Sequence, residues 1–220
     1  METLDNRFKL QFITDCPDAQ ETMAQVRQVW AGGCRFVQIR MKHAANDEIG
    51  YVLKTLCPEA EALGARLVVD DHVELAHLCH GVHLGRNDMS PAKARAILGP
   101  DKMIGVTVND LSDIDRLLSF GKVVFDSIGL GPWRFTSTKE KIAPTLGLDG
   151  TRHLIEALRN QGIYKPVYAI GGITEDDLSA LAQTGAYGIA ISSAIGRSSS
   201  PCDSTKNFIH AIYKYLKDKN

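Results

Sequence analysis

Short apolar runs alternate along the chain with longer segments whose apolar residues recur at helical spacing. The short runs are almost continuously apolar, which is typical of parallel strands buried on both faces. In chain order, the runs predicted as strands are 10–14, 36–39, 67–69, 81–84, 103–108, 123–128, 167–170 and 188–191. The pattern therefore predicts parallel strands joined by helical crossovers.

Eight helices are predicted to follow these strands. Gly32 and Gly33 end the first helix, Pro91 opens the fourth, and Thr174 is a candidate N-cap of the seventh. The predicted helices are 19–31, 47–63, 72–79, 91–98, 111–120, 148–160, 175–183 and about 203–216. Eight strand–helix units predict an α/β fold, a single (β/α)8 TIM barrel that forms one domain over residues 1–220. The alternative is an open doubly wound sheet, which more often carries an N-terminal glycine fingerprint that this sequence lacks.

Composition narrows the classes of partner. The 220 residues are 44% hydrophobic and 23% charged, and the formal net charge is −1. This balance gives no support for a nucleic-acid or membrane-surface partner, so an anion site would be local. No apolar run approaches the roughly 18 residues that a membrane span needs.

Cysteine usage and the first residues predict the compartment. The five cysteines include no Cys-x-x-Cys pair, and their odd number favours reduced, buried thiols. Residues 1–9 are charged and lack an apolar stretch of signal-peptide length. We expect a cytoplasmic protein. The oligomeric state stays open, and a homo-oligomer is compatible with the sequence.

Polar residues follow nearly every predicted strand, at the end of a barrel where active sites lie. Period-two spacing sends Gln38, Arg40 and Lys42 to one side of the second strand's end. The other polar or glycine residues at strand ends are Asp70, Asp71, His72, Asp88, Thr107, Asn109, Gly171, Gly172, Ser192 and Ser193. We expect these residues to converge on one site.

The longest of these loops, 129–139, reads Gly-Leu-Gly-Pro-Trp-Arg-Phe-Thr-Ser-Thr-Lys. Glycines let a backbone approach a ligand closely, hydroxyls donate hydrogen bonds to oxyanions, and lysine adds a point charge. We interpret the loop as a phosphate or pyrophosphate cradle.

Two carboxylates on neighbouring strands, Asp71 and Asp88, suit one hard cation. Mg²⁺ takes one or two protein carboxylates and completes its shell with substrate phosphate and water. Arg40, Lys42 and Lys139 supply positive charge around a polyphosphate. The glycine and serine pairs follow strands seven and eight, the usual place for a phosphate monoester in such barrels. The sequence thus predicts a Mg²⁺-pyrophosphate site and a separate phosphate site.

Each feature also has a structural interpretation. Helix capping by Asp70 or Asp71 explains that pair as well as metal binding does. The two lone basic residues Arg40 and Lys42 fit surface charges better. A tight turn explains the glycine pair, and an N-cap the serine pair, equally well. Structural roles are favoured for His72, His77, His80 and His83, and core packing is an alternative to ring stacking for Trp133 and Phe135.

Taken in order, the motifs resemble the thiamine-phosphate synthase family, also called thiamine-phosphate pyrophosphorylase. The matching stretches are 37–42 (VQIRMK), 71–76 (DHVELA), 81–85 (GVHLG) with Asp88, 129–132 (GLGP) with 135–139 (FTSTK), 169–173 (AIGGI) and 193–195 (SAI). Each is weak alone, but together they are specific and span most of the chain.

The resemblance implies a Mg²⁺-dependent transferase with Asp71 and Asp88 as metal ligands. Such an enzyme joins aminopyrimidine-methyl pyrophosphate to the nitrogen of thiazole phosphate, giving thiamine phosphate and pyrophosphate. The expected catalytic residues are Arg40, Lys42, Thr107 and Lys139. The expected substrate contacts are Gln38, Ile39, Arg40, Met41, Lys42, Asp70, Thr107, Thr136, Ser137, Thr138, Lys139, Gly171, Gly172, Ser192 and Ser193.

The sequence departs from the family pattern at two places. The family usually has Asn-Asp where this chain has Asp70-Asp71, and an ionised Asp70 cannot donate to pyrophosphate and adds repulsion. After strand five, the family's Gly-x-Ser-x-His becomes Gly-Val-Thr-Val-Asn over 105–109. Thr107 keeps the hydroxyl, whereas Asn109 loses an acid/base group.

Two rival functions stay open. A thiazole tautomerase-like isomerase needs an acid/base residue and has little need for a Mg²⁺-pyrophosphate site, so the charged residues at the strand ends favour the synthase. A non-catalytic thiamine-pathway binding protein is conceivable because of Asp70.

Overall fold

Eight parallel strands close into a barrel in the computed structural model, which describes residues 5–121, 124–135 and 144–216. The strands are β1 Leu10–Ile13, β2 Phe36–Ile39, β3 Arg66–Asp70, β4 Gly81–Leu84, β5 Met103–Val108, β6 Ser127–Leu130, β7 Val167–Ile170 and β8 Gly188–Ile191. Each strand pairs with its sequence neighbour, and β8 pairs with β1 to close the ring. The predicted TIM barrel is confirmed, and the open-sheet alternative is wrong.

Helices connect these strands in the predicted order. They are α1 Ala19–Ala31, α2 Asn46–Ala62, α3 Pro91–Leu98, α4 Leu111–Phe120, α5 Gly147–Asn160, α6 Leu178–Leu181, α7 Ser193–Gly196 and α8 Pro201–Tyr215. The predicted bounds of α1, α3 and α4 are met in full. In each, a side chain before the first turn accepts a hydrogen bond from a backbone N–H, which fixes the start. The capping residues are Asp18, Ser90 and Asp110.

Two predicted helices are replaced by shorter elements. The third, predicted over 72–79, is a 3-10 helix over Val73–Leu78. The seventh, predicted over 175–183, is a 3-10 turn over Glu175–Asp177 that continues into α6. Thr174 is its N-cap, as predicted, and forms a capping box with Asp177.

The predicted sixth strand is wrong in position. Residues 124–126 lie outside the strand, although Asp126 N donates to Ile104 O at 2.7 Å, and β6 covers Ser127–Leu130 instead of 123–128. The Asp126 carboxylate accepts hydrogen bonds from Arg95 Nη2 (2.6 Å) and Ile104 N (2.8 Å), which ties this bend to its neighbours. Phe125 is fully buried, so its apolar character reflects tertiary packing rather than strand pairing. Gly129 and Leu130, predicted as loop, are therefore strand residues.

Two apolar layers surround the strands. The larger packs the outer strand faces against the helices, with Val26, Leu53 and Ile104 among its fully buried members. The smaller lies inside the barrel. It consists of Phe8, Ile13, Phe36, Val68, Tyr168 and Ala190.

The interior layer closes the N-terminal end of the barrel with aromatic rings. Tyr168 stacks edge-on against Phe36 and Tyr187, with ring centroids 5.6 and 5.4 Å apart. Its buried hydroxyl donates to the Phe8 carbonyl at 3.0 Å. Phe36 begins β2 and Tyr168 is the second residue of β7, so this aromatic group lies opposite the end of the barrel where active sites are found.

The cysteines match the predicted thiol state in part. All five are free; Cys34 and Cys79 are buried, whereas Cys16, Cys57 and Cys202 are partly exposed. Desolvation raises the pKa of Cys34 and Cys79 to about 11, so these two thiols are unreactive. Among the described residues, no helix is both long and apolar enough to span a membrane.

Candidate active site

A line of polar side chains leads from the barrel interior to its mouth along β1, β2 and β3. Gln11 Nε2 donates to Gln38 Oε1 at 3.0 Å, and Gln38 Nε2 donates to Asp70 Oδ1. These bonds use both ends of the Gln38 amide and so determine its orientation. Gln38 is buried within this line.

Arg40 is held on both its backbone and its side chain. The Thr14 hydroxyl accepts from Arg40 N at 2.8 Å and donates to Arg40 O at 3.1 Å. Arg40 Nε lies 3.3 Å from Asp70 Oδ2, and Arg40 Nη1 lies 3.7 Å from Asp15 Oδ1. The side chain is only 12% exposed, so the interpretation of Arg40 as a surface charge is wrong.

The other residues predicted in the segment after β2 divide between solvent and core. Lys42 is exposed. Ile39 and Met41 are buried in the layer between strands and helices, so only their backbone groups are available to a substrate. Period-two alternation explains this separation, because Gln38 and Arg40 face the opposite side from Ile39 and Met41.

Asp71 and Asp88 meet at the mouth, as the sequence predicts. Their side chains are within hydrogen-bond contact. Gly85 N donates to Asp88 Oδ2 at 2.6 Å, which folds that carboxylate back over the end of β4. Asp71 N donates to the His83 carbonyl at 2.9 Å, and Asp71 has a left-handed backbone with φ 63°. That conformation is uncommon outside glycine, and such strained positions cluster at functional sites.

The Asp71 carboxyl is electrostatically crowded. Partial desolvation, the charge of Asp70 and the contact with Asp88 raise its pKa to about 8, while Arg40 opposes the shift. Three carboxyl groups thus meet at one point of the mouth, and they repel one another when ionised. A divalent cation would relieve that repulsion, so these hard oxygen donors fit Mg²⁺.

The interpretation of Asp70 or Asp71 as a helix cap is wrong. The N-cap of the 3-10 helix after β3 is His72, and it has no side-chain capping bond. The links from this turn to Asp70 and Asp71 use their backbone carbonyls, which accept from His72 N (2.7 Å) and Val73 N (3.0 Å). Neither carboxylate is therefore needed to begin the helix.

A second group of metal-type donors lies at the other end of the barrel. Cys57, Glu61 and His80 place one donor atom each within 4.8 Å of one another. Leu67 N donates to His80 Nδ1 at 3.1 Å, so Nε2 carries the proton of the neutral ring and offers no lone pair. Burial lowers the pKa of His80 and keeps the ring neutral. The mouth carboxylates are consequently the better cation site.

Thr107 is oriented by a histidine that sequence reasoning treated as structural. His83 Nε2 and Thr107 Oγ1 are 2.9 Å apart inside the barrel. A Cβ on Gly105 would lie 2.6 Å from His83 Nδ1, and one on Gly129 would lie 3.2 Å from His83 Cε1. Both glycines therefore make room for the imidazole. The predicted role of Gly129 in close approach to a ligand is replaced by this packing role.

Asn109, which stands where the family usually has histidine, holds the backbone of the following loop. Its side-chain amide donates to the Gly131 carbonyl, and its backbone N–H donates to Asp113 Oδ2 at 2.8 Å. Asn109 thus fixes the start of residues 131–135 and does not act as an acid or base.

The glycine pair after β7 lies against the segment that follows β6. Gly171 and Gly172 have left-handed backbones, with φ 102° and 66°. Trp133 N donates to Ile170 O at 2.8 Å, and Arg134 N donates to Gly171 O at 3.0 Å. The tight-turn interpretation is therefore correct, and the turn also brings the start of the predicted cradle to the end of β7.

The two aromatic residues of this segment have different roles. Trp133 is 6% exposed and packs in the core, so the core interpretation is correct for it. Phe135 is 65% exposed, which leaves its ring available for stacking on a flat ligand.

The serine pair after β8 has an unused hydroxyl. Ser192 is the N-cap of α7 but makes no side-chain capping bond. Its Oγ is buried and lacks a hydrogen-bond partner among the described residues. Such a group calls for a ligand or water, since an unsatisfied buried hydroxyl is costly. Ser193 begins α7, where backbone N–H groups favour an anion.

Four predicted substrate residues, Thr136, Ser137, Thr138 and Lys139, lie outside the described residues. Their proposed contacts with pyrophosphate stay predictions.

A family model described as thiamine monophosphate synthase matches residues 10–195. The chain belongs to this family. The resemblance read from the motifs is thereby confirmed, and the chain is an enzyme of the transferase class in thiamine biosynthesis.

Members of the thiamine monophosphate synthase family resemble the chain over nearly its whole length. The thiamine-phosphate synthase of Phocaeicola vulgatus is 41% identical over 211 residues, which cover 94% of this chain and 99% of the relative. That of Bacteroides fragilis is 40% identical over 203 residues, covering 91% and 98%. The solved thiamine phosphate pyrophosphorylase of Pyrococcus furiosus superposes with a TM-score of 0.82 at 30% identity, covering 96% and 98% of the two chains.

Proposed function

We propose that the protein is a Mg²⁺-dependent thiamine-phosphate synthase. It transfers the aminopyrimidine-methyl group from its pyrophosphate to the nitrogen of thiazole phosphate. The observation that carries the proposal is the meeting of the Asp71 and Asp88 carboxylates beside Arg40 at the barrel mouth. A cation site next to a fixed guanidinium suits a pyrophosphate leaving group.

The pyrimidine end of the first substrate is assigned to the side of the mouth that carries Gln38. The Gln38 amide is already oriented by Gln11 and Asp70, so a polar ring meets a fixed partner. Thr107, held by His83, presents a hydroxyl from the neighbouring wall. Preorganised groups of this kind cost little reorganisation when the substrate binds.

The reaction breaks a carbon–oxygen bond and forms a carbon–nitrogen bond at the same methylene. The electron pair of the broken bond leaves with pyrophosphate, and the aminopyrimidine ring stabilises the positive charge left on the methylene. The thiazole nitrogen then donates its lone pair to that carbon. When held by Asp71 and Asp88, Mg²⁺ supplies Lewis-acid neutralisation of the departing pyrophosphate.

The protein's share of the work is charge, position and exclusion of water. Arg40 is fixed at the mouth for the pyrophosphate, and Lys42 and Lys139 are the further cations we propose around it. The thiazole phosphate is assigned to the glycine turn after β7 and the Ser192 hydroxyl after β8. No protein nucleophile is needed, because the leaving group departs without a covalent enzyme intermediate.

The decisive experiment measures thiamine phosphate and pyrophosphate together. Purified protein receives both substrates with Mg²⁺, with a chelator, and with Mg²⁺ restored after chelation. We expect equal amounts of both products, loss with the chelator and recovery with Mg²⁺. An incubation without thiazole phosphate corrects for hydrolysis. Absence of thiamine phosphate, with both substrates bound, would overturn the proposal.

A further inference from the structure

We propose that Arg134 recognises the phosphate of the thiazole substrate and makes the enzyme selective for the phosphorylated acceptor. The proposal rests on the thiamine-phosphate synthase function, because it assigns a further residue to the second substrate of that reaction. Arg134 belongs to the loop first interpreted as a pyrophosphate cradle, yet its described contacts lead to the opposite side of the mouth.

The backbone contacts bring Arg134 to the proposed phosphate turn. Arg134 N donates to Gly171 O at 3.0 Å, which continues the pairing that Trp133 N makes with Ile170 O. The Arg134 side chain then passes over Gly172, the next residue of the turn. A Cβ on Gly172 would lie only 2.5 Å from Arg134 Cγ and 3.0 Å from Phe135 O. Gly172 therefore leaves the space through which the arginine side chain passes.

Asp177 holds the guanidinium from one side. Arg134 Nη2 donates to Asp177 Oδ1, while Asp177 Oδ2 accepts from Thr174 N at 2.8 Å and from Thr174 Oγ1 at 3.0 Å. The Asp177 side chain is 9% exposed and the Arg134 side chain 50% exposed. A guanidinium has five N–H donors, so one anchored on its inner side can still bind an oxyanion on its outer side.

The neighbouring acidic residues lie on another surface. Glu175 and Asp176 line the groove against α8, together with His210 and Lys214. They share that groove with α8 residues. Apart from the Asp177 carboxylate, which is paired with Arg134, the groups described at this turn are the glycine backbone and the unpaired Ser192 hydroxyl, which are neutral. A phosphate dianion there gains a fixed positive charge only from Arg134 among these groups.

The test compares two acceptors, thiazole phosphate and the corresponding unphosphorylated thiazole alcohol. Because Arg134→Gln removes a charge-assisted hydrogen bond to the phosphate, it should raise KM for thiazole phosphate by about tenfold or more. The KM for the pyrimidine substrate and kcat/KM for the alcohol should stay within about twofold. Arg134→Lys keeps a point charge but lacks the forked guanidinium, so its KM for thiazole phosphate should lie between those of wild type and Arg134→Gln.

The matched control is Arg27→Gln. Arg27 is 49% exposed and pairs with Glu59, but it lies on α1, which places it outside the mouth. Arg27→Gln should leave KM and kcat unchanged for both acceptors. Equal loss of phosphate and alcohol turnover in both Arg134 variants would overturn the proposal, because it would show that Arg134 only supports the loop.

The outcome also separates this proposal from the function on which it rests. Wild-type protein that forms no thiamine phosphate contradicts the synthase function. Active wild type together with an Arg134→Gln variant of unchanged acceptor preference contradicts only the role of Arg134. If Arg134→Gln does not fold, the acceptor preference of Arg134→Lys decides: a weakened preference supports the proposal and an unchanged one refutes it.

Discussion

The two sides of the barrel mouth handle negative charge in different ways. On the carboxylate side, formed by Arg40, Asp70, Asp71 and Asp88, charged side chains contact one another directly. On the glycine side, formed by Gly171, Gly172, Ser192 and Ser193, the groups are backbone, hydroxyl and open space, with Arg134 brought in from a neighbouring loop. The first side suits a metal-bound pyrophosphate, and the second suits a phosphate monoester.

The contrast teaches how one barrel can keep two phosphorylated substrates apart. Crowded carboxylates repel a free phosphate but accept one that arrives with a divalent cation. A glycine turn admits a phosphate without a metal, because its backbone can approach the anion. The difference between the two sides therefore predicts which substitutions affect which substrate.

Removal of a metal carboxylate should have the largest effect. Asp71→Asn or Asp88→Asn is expected to lower kcat by about a hundredfold or more, since charge stabilisation of the leaving group is lost. Binding of thiazole phosphate, measured by calorimetry, should change little. Asp149→Asn is the control, because Asp149 lies on α5 with its side chain 94% exposed. An equal loss of thiazole phosphate binding would make the two carboxylates structural.

A side chain on the glycine turn should act on the other substrate. Gly172→Ala adds a Cβ that would lie 2.5 Å from Arg134 Cγ, at φ 66°. We expect KM for thiazole phosphate to rise about tenfold, with the KM for the pyrimidine substrate nearly unchanged.

Gly99→Ala is the matched control for that substitution. Gly99 has φ 74° but no atom within 4 Å of an added Cβ, so it reports the backbone cost of about 1 kcal/mol without the clash. Comparable kinetic defects in the two variants would show that strain, rather than displacement of Arg134, weakens the acceptor site.

The crowding of Asp71 predicts a pH-dependent stability of the metal-free protein. Its pKa is raised from 3.8 to about 8, so the folded state favours the protonated form. Its contribution is fully present below about pH 4 and is lost as the pH rises to about 8. The Tm of wild type relative to that of Asp71→Asn should therefore fall as the pH rises from about 4 to about 8. Mg²⁺ at pH 8 should raise the Tm of wild type only. A pH-independent difference would contradict the crowding.

The smallest effect is expected at Asp70. An asparagine keeps one acceptor oxygen, for either Gln38 or Arg40, and carries no charge, so Asp70→Asn should lower the KM of the pyrimidine pyrophosphate by about two- to fivefold. Glu74→Gln is a control, since Glu74 is an exposed carboxylate on the 3-10 helix that follows β3. An unchanged KM would mean that repulsion from Asp70 does not reach the substrate.

Much of the fold is predictable because its signals are local. Asp18, Ser90 and Asp110 each stand directly before the helix that they cap, so short spacing alone locates α1, α3 and α4. The position of β6, by contrast, depends on residues distant in the sequence. The apolar residues 124–125 resemble strand, but Asp126 is tied to Arg95 and Ile104, which no sequence pattern around residue 126 reveals.

The residues of the candidate site also divide into those that the sequence predicts and those that it does not. Asp71 and Asp88 are predictable because each directly follows a strand, and barrel topology brings strand ends together. Arg134 is not, since a lone arginine in a loop has no distinctive signal until Asp177 and Gly172 are placed beside it. Thr14 has no such signal either, because its hydroxyl contacts Arg40, 26 positions away in the sequence.

The aromatic rings of Tyr168, Phe36 and Tyr187 fill the amino-terminal end of the barrel, and this has a consequence for the order in which ligands bind and leave. With the far end sealed, substrates and products share one entrance. Whichever ligand sits deeper must arrive first and leave last. With the pyrimidine at the buried Gln38, as we propose, and pyrophosphate at the rim, we expect pyrophosphate to leave before thiamine phosphate. A single shared entrance therefore predicts an ordered release of products, with the smaller product leaving first.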